Sequence, residues 1–275
     1  MLIKKILFSL LLVLFSINVS FAFPKKVIYI YNDLGVSESS IEHTIYTLKH
    51  LIPEDYRINL ITSEEIKKNN WVDEAALLIM PGGADIPYAQ KLNGDGNRII
   101  KEYIKNGGSY LGICAGAYYG SGFIEFDKNG PLEVVGKREL SFFKGKAIGP
   151  VIAEYDYKTN SGVRAPQIKT PLLGNKDIFI YYNGGPYFSD PESYSYVTVL
   201  ARYQDPNAPN LPAILGINYG EGKVILSGVH FEYSTDIIDK KDIYINKHLP
   251  KLLKTENRRN ILAKEIFKFL NIEAN

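Results

Sequence analysis

The sequence predicts an α/β fold: a doubly wound, mostly parallel sheet carrying a β-rich insertion or extension. Three observations carry this. As far as Ser121, short apolar runs with strand character alternate with helical patterns, each bounded by turn residues. Several of the runs are apolar throughout rather than alternating, as strands covered on both faces are. After Ser121 the texture shifts to short β-rich segments.

Taken in order, Val27 to Tyr31 reads as the first strand and Ser39 to Leu51 as a helix, followed by a strand from Arg57 to Ile61. Thr62 followed by Glu65 has the spacing of a capping box, in which each side chain satisfies a backbone N–H of the other, so a short helix starts there. Ala75 to Met80 reads as a buried strand ending in the turn Pro81-Gly82-Gly83-Ala84-Asp85. A helix from about Gly96 to Lys105, stopped by Gly107-Gly108, leads into the strand Tyr110 to Ile113. Ala147 to Tyr155, Ile178 to Tyr182, Tyr196 to Tyr203 and Ile214 to Tyr219 are the β-rich segments, and the sheet resumes at Lys223 to Val229. The closing helix, about Glu256 to Leu270, places Ile261, Leu262, Ile266, Phe269 and Leu270 on a stripe read as core packing.

Residues 1–22 read as a secretory signal. Lys4 and Lys5 supply the positive region, Ile6 to Ile17 the apolar run, and Ser20-Phe21-Ala22 a small-x-small cleavage site. The run is short of the roughly 20 residues a membrane helix needs, so export with cleavage near Ala22 is expected, to periplasm or medium, with no stable membrane span afterwards. An uncleaved anchor is the lesser alternative. Residues 23–275 are then one domain, without internal repeats. Setting aside Lys4 and Lys5 brings the 32 Lys and Arg residues level with the 30 Asp and Glu, and no basic stretch is interleaved with aromatics. A nucleic-acid partner is not expected; a small-molecule or peptide-like substrate is. No metal or cofactor is expected either.

The chain has a single cysteine, Cys114, in Gly112-Ile113-Cys114-Ala115-Gly116 directly after a strand. This is the pattern of a nucleophile elbow with sulfur as the nucleophile. Flanking glycines let the chain turn sharply, and the N–H of Ala115 is left free at a helix start, where peptide dipoles favour a thiolate or an oxyanion. A lone cysteine is otherwise a small buried hydrophobe. The candidate base is His230, in Gly228-Val229-His230-Phe231-Glu232 at the end of a strand; His43 and His50 fall in a helical pattern and His248 in a charged tail. An ordinary thiol is only about 3% thiolate at neutral pH, and an imidazolium beside it raises that fraction. Glu232 is placed to orient the imidazole as the third member of a triad.

Parallel sheets bind at the carboxyl ends of their strands, so the Gly83 turn, Cys114 and His230 are expected to converge, with Gly83 N–H as a second oxyanion donor. Gly82, Asp85 and Asn183 are the candidate substrate contacts. Asp85 and Arg138 are alternatively loop charges. The tyrosines near glycine, Tyr118-Tyr119-Gly120 and Tyr181-Tyr182-Asn183-Gly184-Gly185, either line a ligand pocket or fill half-buried strand positions.

With these segments in view, the chain resembles the class I glutamine amidotransferase-like superfamily, and more closely the N-terminal domain of biotin-protein ligases. The blocks Pro81 to Tyr88, Leu92 to Asn97, Tyr110 to Gly120, Gly136 to Phe143 and Tyr181 to Gly185 carry the likeness. The resemblance implies a flavodoxin-like sheet and a Cys114, His230, Glu232 triad. With no second domain to hold biotinyl-adenylate and no ammonia-acceptor domain, the expectation is not a biotin ligase but an exported cysteine-dependent amide hydrolase. In that mechanism Gly83 and Ala115 form the oxyanion hole. The alternatives are a non-catalytic ligand- or protein-binding module on the same fold, and a redox-sensing thiol.

Overall fold

The computed structural model describes residues 25–275. The leader expected at residues 1–22 lies outside the described residues. In chain order the elements are β1 (Val27–Tyr31), α1 (Glu38–Leu51), β2 (Arg57–Ile61), α2 (Ser63–Lys68), β3 (Ala75–Met80), α3 (Asp85–Leu92), α4 (Asp95–Lys105), β4 (Ser109–Ile113) and α5 (Ala115–Gly120). Then follow β5 (Ser121–Phe126), β6 (Val134–Lys137), β7 (Phe143–Gly149), β8 (Gln167–Lys169), β9 (Asp177–Phe179), β10 (Tyr187–Phe188), β11 (Val197–Asp205), β12 (Ala208–Tyr219), β13 (Gly222–Ser227), α6 (Ile243–Asn246) and α7 (Leu249–Phe269).

Nine strands make one mixed sheet in the order β2-β1-β3-β4-β13-β12-β11-β8-β9. The five from β2 to β13 pair in parallel, and the rest continue the sheet in antiparallel pairs. Strand parity explains the burial on both faces. In β3, Leu77 and Ile79 join the core beneath α1 and α7, while Leu78 and Met80 join the core beneath α2 to α5; Ala75 also faces the latter because the register against β1 shifts between it and Leu77. Burying a Leu or Ile side chain contributes about 2 kcal/mol, so a strand buried on both faces contributes at nearly every residue.

The β-rich half resolves into both of the forms expected of it. Strands β8, β9, β11 and β12 extend the main sheet, and β10-β7-β5-β6 form a second sheet against it. Several expected boundaries need correction. The strand expected over Ala147 to Tyr155 is β7, which ends at Gly149; Pro150 lacks the N–H that would continue a ladder. The strand expected over Ile178 to Tyr182 is regular only in β9, ending at Phe179; beyond it the pairing continues as isolated bridges of Tyr182 with Arg164 and of Tyr181 with His230. Helix α3 arises where only a turn was expected. Helix α7 begins at Leu249 and breaks its geometry at Thr255, because the Thr255 hydroxyl bonds both the N–H and the carbonyl of Phe179 instead of leaving the helix regular. Within the expected stripe, Ile261 is 41% exposed, and Phe267 takes the buried place.

No helix among the described residues is long and apolar enough to cross a membrane.

Candidate active site

Three chain turns meet at the carboxyl ends of the parallel strands. Cys114 leaves β4 with φ 50° and ψ −104°, an unfavourable backbone for a residue bearing a Cβ, and α5 begins at the next residue. Its flanking glycines are imposed by packing. A Cβ on Gly116 would lie 2.0 Å from the Met80 carbonyl oxygen, and one on Gly112 would lie 2.4 Å from the Gly116 carbonyl oxygen. The elbow is therefore pressed against β3 with no room for a side chain on either flank.

Cys114, the Gly82 and Gly83 turn, Asn183 and His230 line one cleft of about 430 Å³, together with Ser37, Ser39 and Ser40 from the start of α1 and Tyr155 to Asn160 from the segment after β7. His230 Nδ1 donates to Glu232 Oε1 at 2.7 Å, both side chains being nearly inaccessible. Burial works against charge on the ring. The Glu232 carboxylate and the Cys114 thiol beside it outweigh burial and hold the imidazole pKa up at about 10. The ring therefore sits in the site as an imidazolium, with Nε2 left for the sulfur side. The Cys114 thiol is 3.5 Å from the Asn183 carbonyl oxygen.

Among the described residues, the N–H groups of Gly83 and Ala115 have no hydrogen-bond partner, so both are free to face developing negative charge. Gly83 has φ +146°, which favours glycine, and a Cβ there would meet the Gly35 carbonyl oxygen at 2.1 Å. Gly82 lies against the imidazole, where a Cβ would come 2.9 Å from His230 Cε1, and its N–H is already taken by the Ser40 hydroxyl. Asp85 starts α3 and is ion-paired with Arg138 Nε at 2.6 Å, with both side chains about nine-tenths covered. Burial pushes its pKa up against the pull of Arg138. Its carboxylate is thus committed inside the protein, on the side of Cys114 away from His230. Asn183 Oδ1 is buried without a partner.

Residues 26–275 match the family described as biotin-protein ligase, N terminal. The chain belongs to this biotin-protein ligase N-terminal family. It is 36% identical over 221 residues to a biotin–protein ligase of Schizosaccharomyces pombe, covering 78% of this chain and 35% of that protein. It is 40% identical over 211 residues to an uncharacterized protein of Chlamydia muridarum, covering 75% of this chain and 80% of that one. The chain thus spans about a third of the length of the S. pombe relative. Among solved structures, a catalytic mutant of Gan42B, a GH42 β-galactosidase from G. stearothermophilus, aligns with 91% of this chain and 31% of its own, at TM-score 0.52 and 13% identity, a likeness of fold alone. Kinship with a protein named biotin–protein ligase overturns the expectation of a stand-alone amide hydrolase outside biotin ligation.

In this family member, other functional neighbours escaped sequence reasoning because they lie on α1 and α7. Thr47 Oγ1 donates to the Glu232 carbonyl at 2.7 Å, and Arg259 Nη1 donates to the Phe231 carbonyl at 2.7 Å. These two bonds clamp the segment that carries both His230 and Glu232. Tyr233 stacks between His43 and Tyr181, at 4.0 and 4.1 Å between ring centres, and both tyrosines set an edge against His230.

His43 itself is 4% exposed and accepts the Ser234 N–H at Nδ1, which requires a neutral ring. Burial, with the charges of Arg259 and His230, pushes its pKa down to about 4. An unfolded histidine binds a proton near pH 6.5, so this residue favours the unfolded state progressively as pH falls from about 6.5 toward 4. The protein is expected to lose up to about 3 kcal/mol over that window. Urea unfolding at pH 7 and pH 5 should show the loss in the wild type and a smaller one in His43→Phe; equal losses would refute the assignment.

Proposed function

We propose that this chain handles an activated acyl group in the service of biotin-protein ligation, taking it onto Cys114 as a thioester. The observation that carries the reading is the strained elbow. It sets Cys114 in a cleft with the His230–Glu232 pair on one side and two unpaired N–H groups beside it.

In this reading the Cys114 thiolate attacks the carbonyl carbon of an acyl donor activated as a mixed anhydride with phosphate. The biotinyl group is the acyl that the S. pombe relative's name suggests. As the C–S bond forms, the carbonyl oxygen's charge faces Gly83 and Ala115 N–H. The C–O bond to phosphate then breaks, and the phosphate leaves with the electron pair as an anion that needs no proton. With the thiolate consumed, His230 gives its proton to solvent. It is then free to take one from an amine that attacks the thioester, which regenerates the thiolate and imidazolium. Glu232 holds the ring's orientation throughout.

The parallel strand order β2-β1-β3-β4-β13 supports a flavodoxin-like assignment, and the elbow after β4 supports placement in the class I glutamine amidotransferase-like superfamily. Export directed by residues 1–22 remains part of the proposal.

Incubation of the full chain with biotinyl-adenylate, read by intact mass, is expected to add one biotinyl group to the wild type and none to Cys114→Ala. A wild type that stays unmodified while Cys114 remains open to alkylation overturns the reading.

A further inference from the structure

Ser40 is the third residue of α1 and is wholly buried. A serine in the first turn of a helix ordinarily bonds its own helix's backbone. Here Ser37 takes the capping role, accepting the Ser40 N–H, and the Ser40 hydroxyl is turned into the site. Its Oγ accepts the Gly82 N–H at 3.0 Å and donates to Glu232 Oε1 at 3.3 Å. That same carboxylate oxygen takes the His230 N–H at 2.7 Å, while Glu232 Oε2 has no partner.

We propose that Ser40 is a positioning residue: one hydroxyl ties the turn that presents Gly83 N–H to the carboxylate that holds His230, so that oxyanion donor and base are set by a common link. Its place in a reaction rests on the acyl-handling reading above; its action on Glu232 does not. With Oε2 unpartnered, the buried carboxylate has two side-chain hydrogen bonds, both through Oε1. Without the Ser40 hydroxyl, Oε1 loses the tether that holds it 2.7 Å from His230 Nδ1, and the ring then loses part of its contact with the counter-charge that keeps it protonated. The groups that face the ring from packed elements are Cys114 at the β4–α5 turn, Tyr181 from the segment after β9, and Tyr233 on its own segment. His43 of α1 lies behind Tyr233, and Arg259 of α7 is held at the Phe231 carbonyl. The Ser40 hydroxyl bonds none of them.

The test is an NMR titration of the His230 ring in the full chain. Ser40→Ala is expected to lower its titration midpoint by about one pH unit, the size expected for one hydrogen bond to a charged group. On a Glu232→Gln background the same substitution should add no further shift, because the carboxylate through which it acts is gone. An unchanged midpoint in folded Ser40→Ala, or an equal shift on both backgrounds, overturns the proposal. Should Ser40→Ala not fold, Ser40→Cys, a weaker donor of similar size, is expected to shift the midpoint in the same direction by less, and no shift counts against it equally. Alkylation of wild-type Cys114, run alongside, judges the acyl-handling reading separately. Slow, His230-independent alkylation ends that reading while the titration still decides on Ser40.

Discussion

Replacing His230 by alanine is expected to slow alkylation of Cys114 at pH 6 by roughly tenfold to a hundredfold. Without a cationic partner, a thiol with the ordinary pKa near 8.5 is only about 0.3% thiolate at pH 6, and an imidazolium beside a thiol raises that fraction. The gain in thiolate fraction is partly offset, because a more stabilised thiolate is intrinsically less nucleophilic. The net effect stays large because His230 is held charged by Glu232 at 2.7 Å in a buried site. Its raised pKa also sets the window. The ring's pairing contributes stability that is fully present below about pH 6.5, the unfolded value, and is lost as pH rises through about 10. The advantage of the wild type over His230→Ala should therefore be greatest at pH 6 and fade as pH rises toward 10. Iodoacetamide rates read by intact mass across that range decide the matter; matching profiles in the two proteins would remove the ion pair from the account.

The second large effect is expected at Gly116. A Cβ there would sit 2.0 Å from the Met80 carbonyl oxygen, a backbone atom of a strand paired on both edges, so neither side can give way cheaply. Forcing the elbow away from β3 in Gly116→Ala should cost about 3 kcal/mol, at the upper end for overpacking. For a chain of this size that is a fall in melting temperature of about 6 to 12 °C. Gly136→Ala is the matched control: its added Cβ meets nothing closer than the Arg138 side chain at 3.7 Å, and its effect should stay within about 0.5 kcal/mol. Because the same displacement moves Cys114 and the Ala115 N–H, Gly116→Ala should also lose thiol reactivity at temperatures where it is still folded. A variant as stable and as reactive as the wild type would show that the elbow's contact with β3 is not what shapes it.

How far the sequence reaches can be judged at particular residues. Strands β1 and β3 are recognisable because strands buried on both faces are apolar throughout, as Val27 to Tyr31 and Ala75 to Met80 are. The capping box at Thr62 and Glu65 forms as its spacing predicts, since both partners lie within one turn. The Gly-x-Cys-x-Gly turn and His230-x-Glu232 are legible for the same reason: each is local, and its backbone demands are written in adjacent residues. Helix α3 was not legible, because Pro81 to Asp85 reads as a turn and the eight residues of α3 carry a weak pattern of their own. The exposure of Ile261 depends on how α7 rotates once Thr255 has bonded Phe179.

The sequence by itself thus determined the apolar strands of the parallel half, the elbow at Cys114, and the local pairing of His230 with Glu232. Only the tertiary structure decided what surrounds them. It brought Ser40 and Thr47 of α1 and Arg259 of α7 to the segment bearing His230 and Glu232. It also spent the Gly82 N–H on Ser40 while leaving those of Gly83 and Ala115 unpaired, and it closed Asp85 onto Arg138. Those contacts join residues up to some two hundred positions apart, and no local propensity or spacing encodes them. Those of Ser40, Thr47 and Arg259 exist because α1 and α7, from opposite ends of the chain, pack on the same face of one sheet.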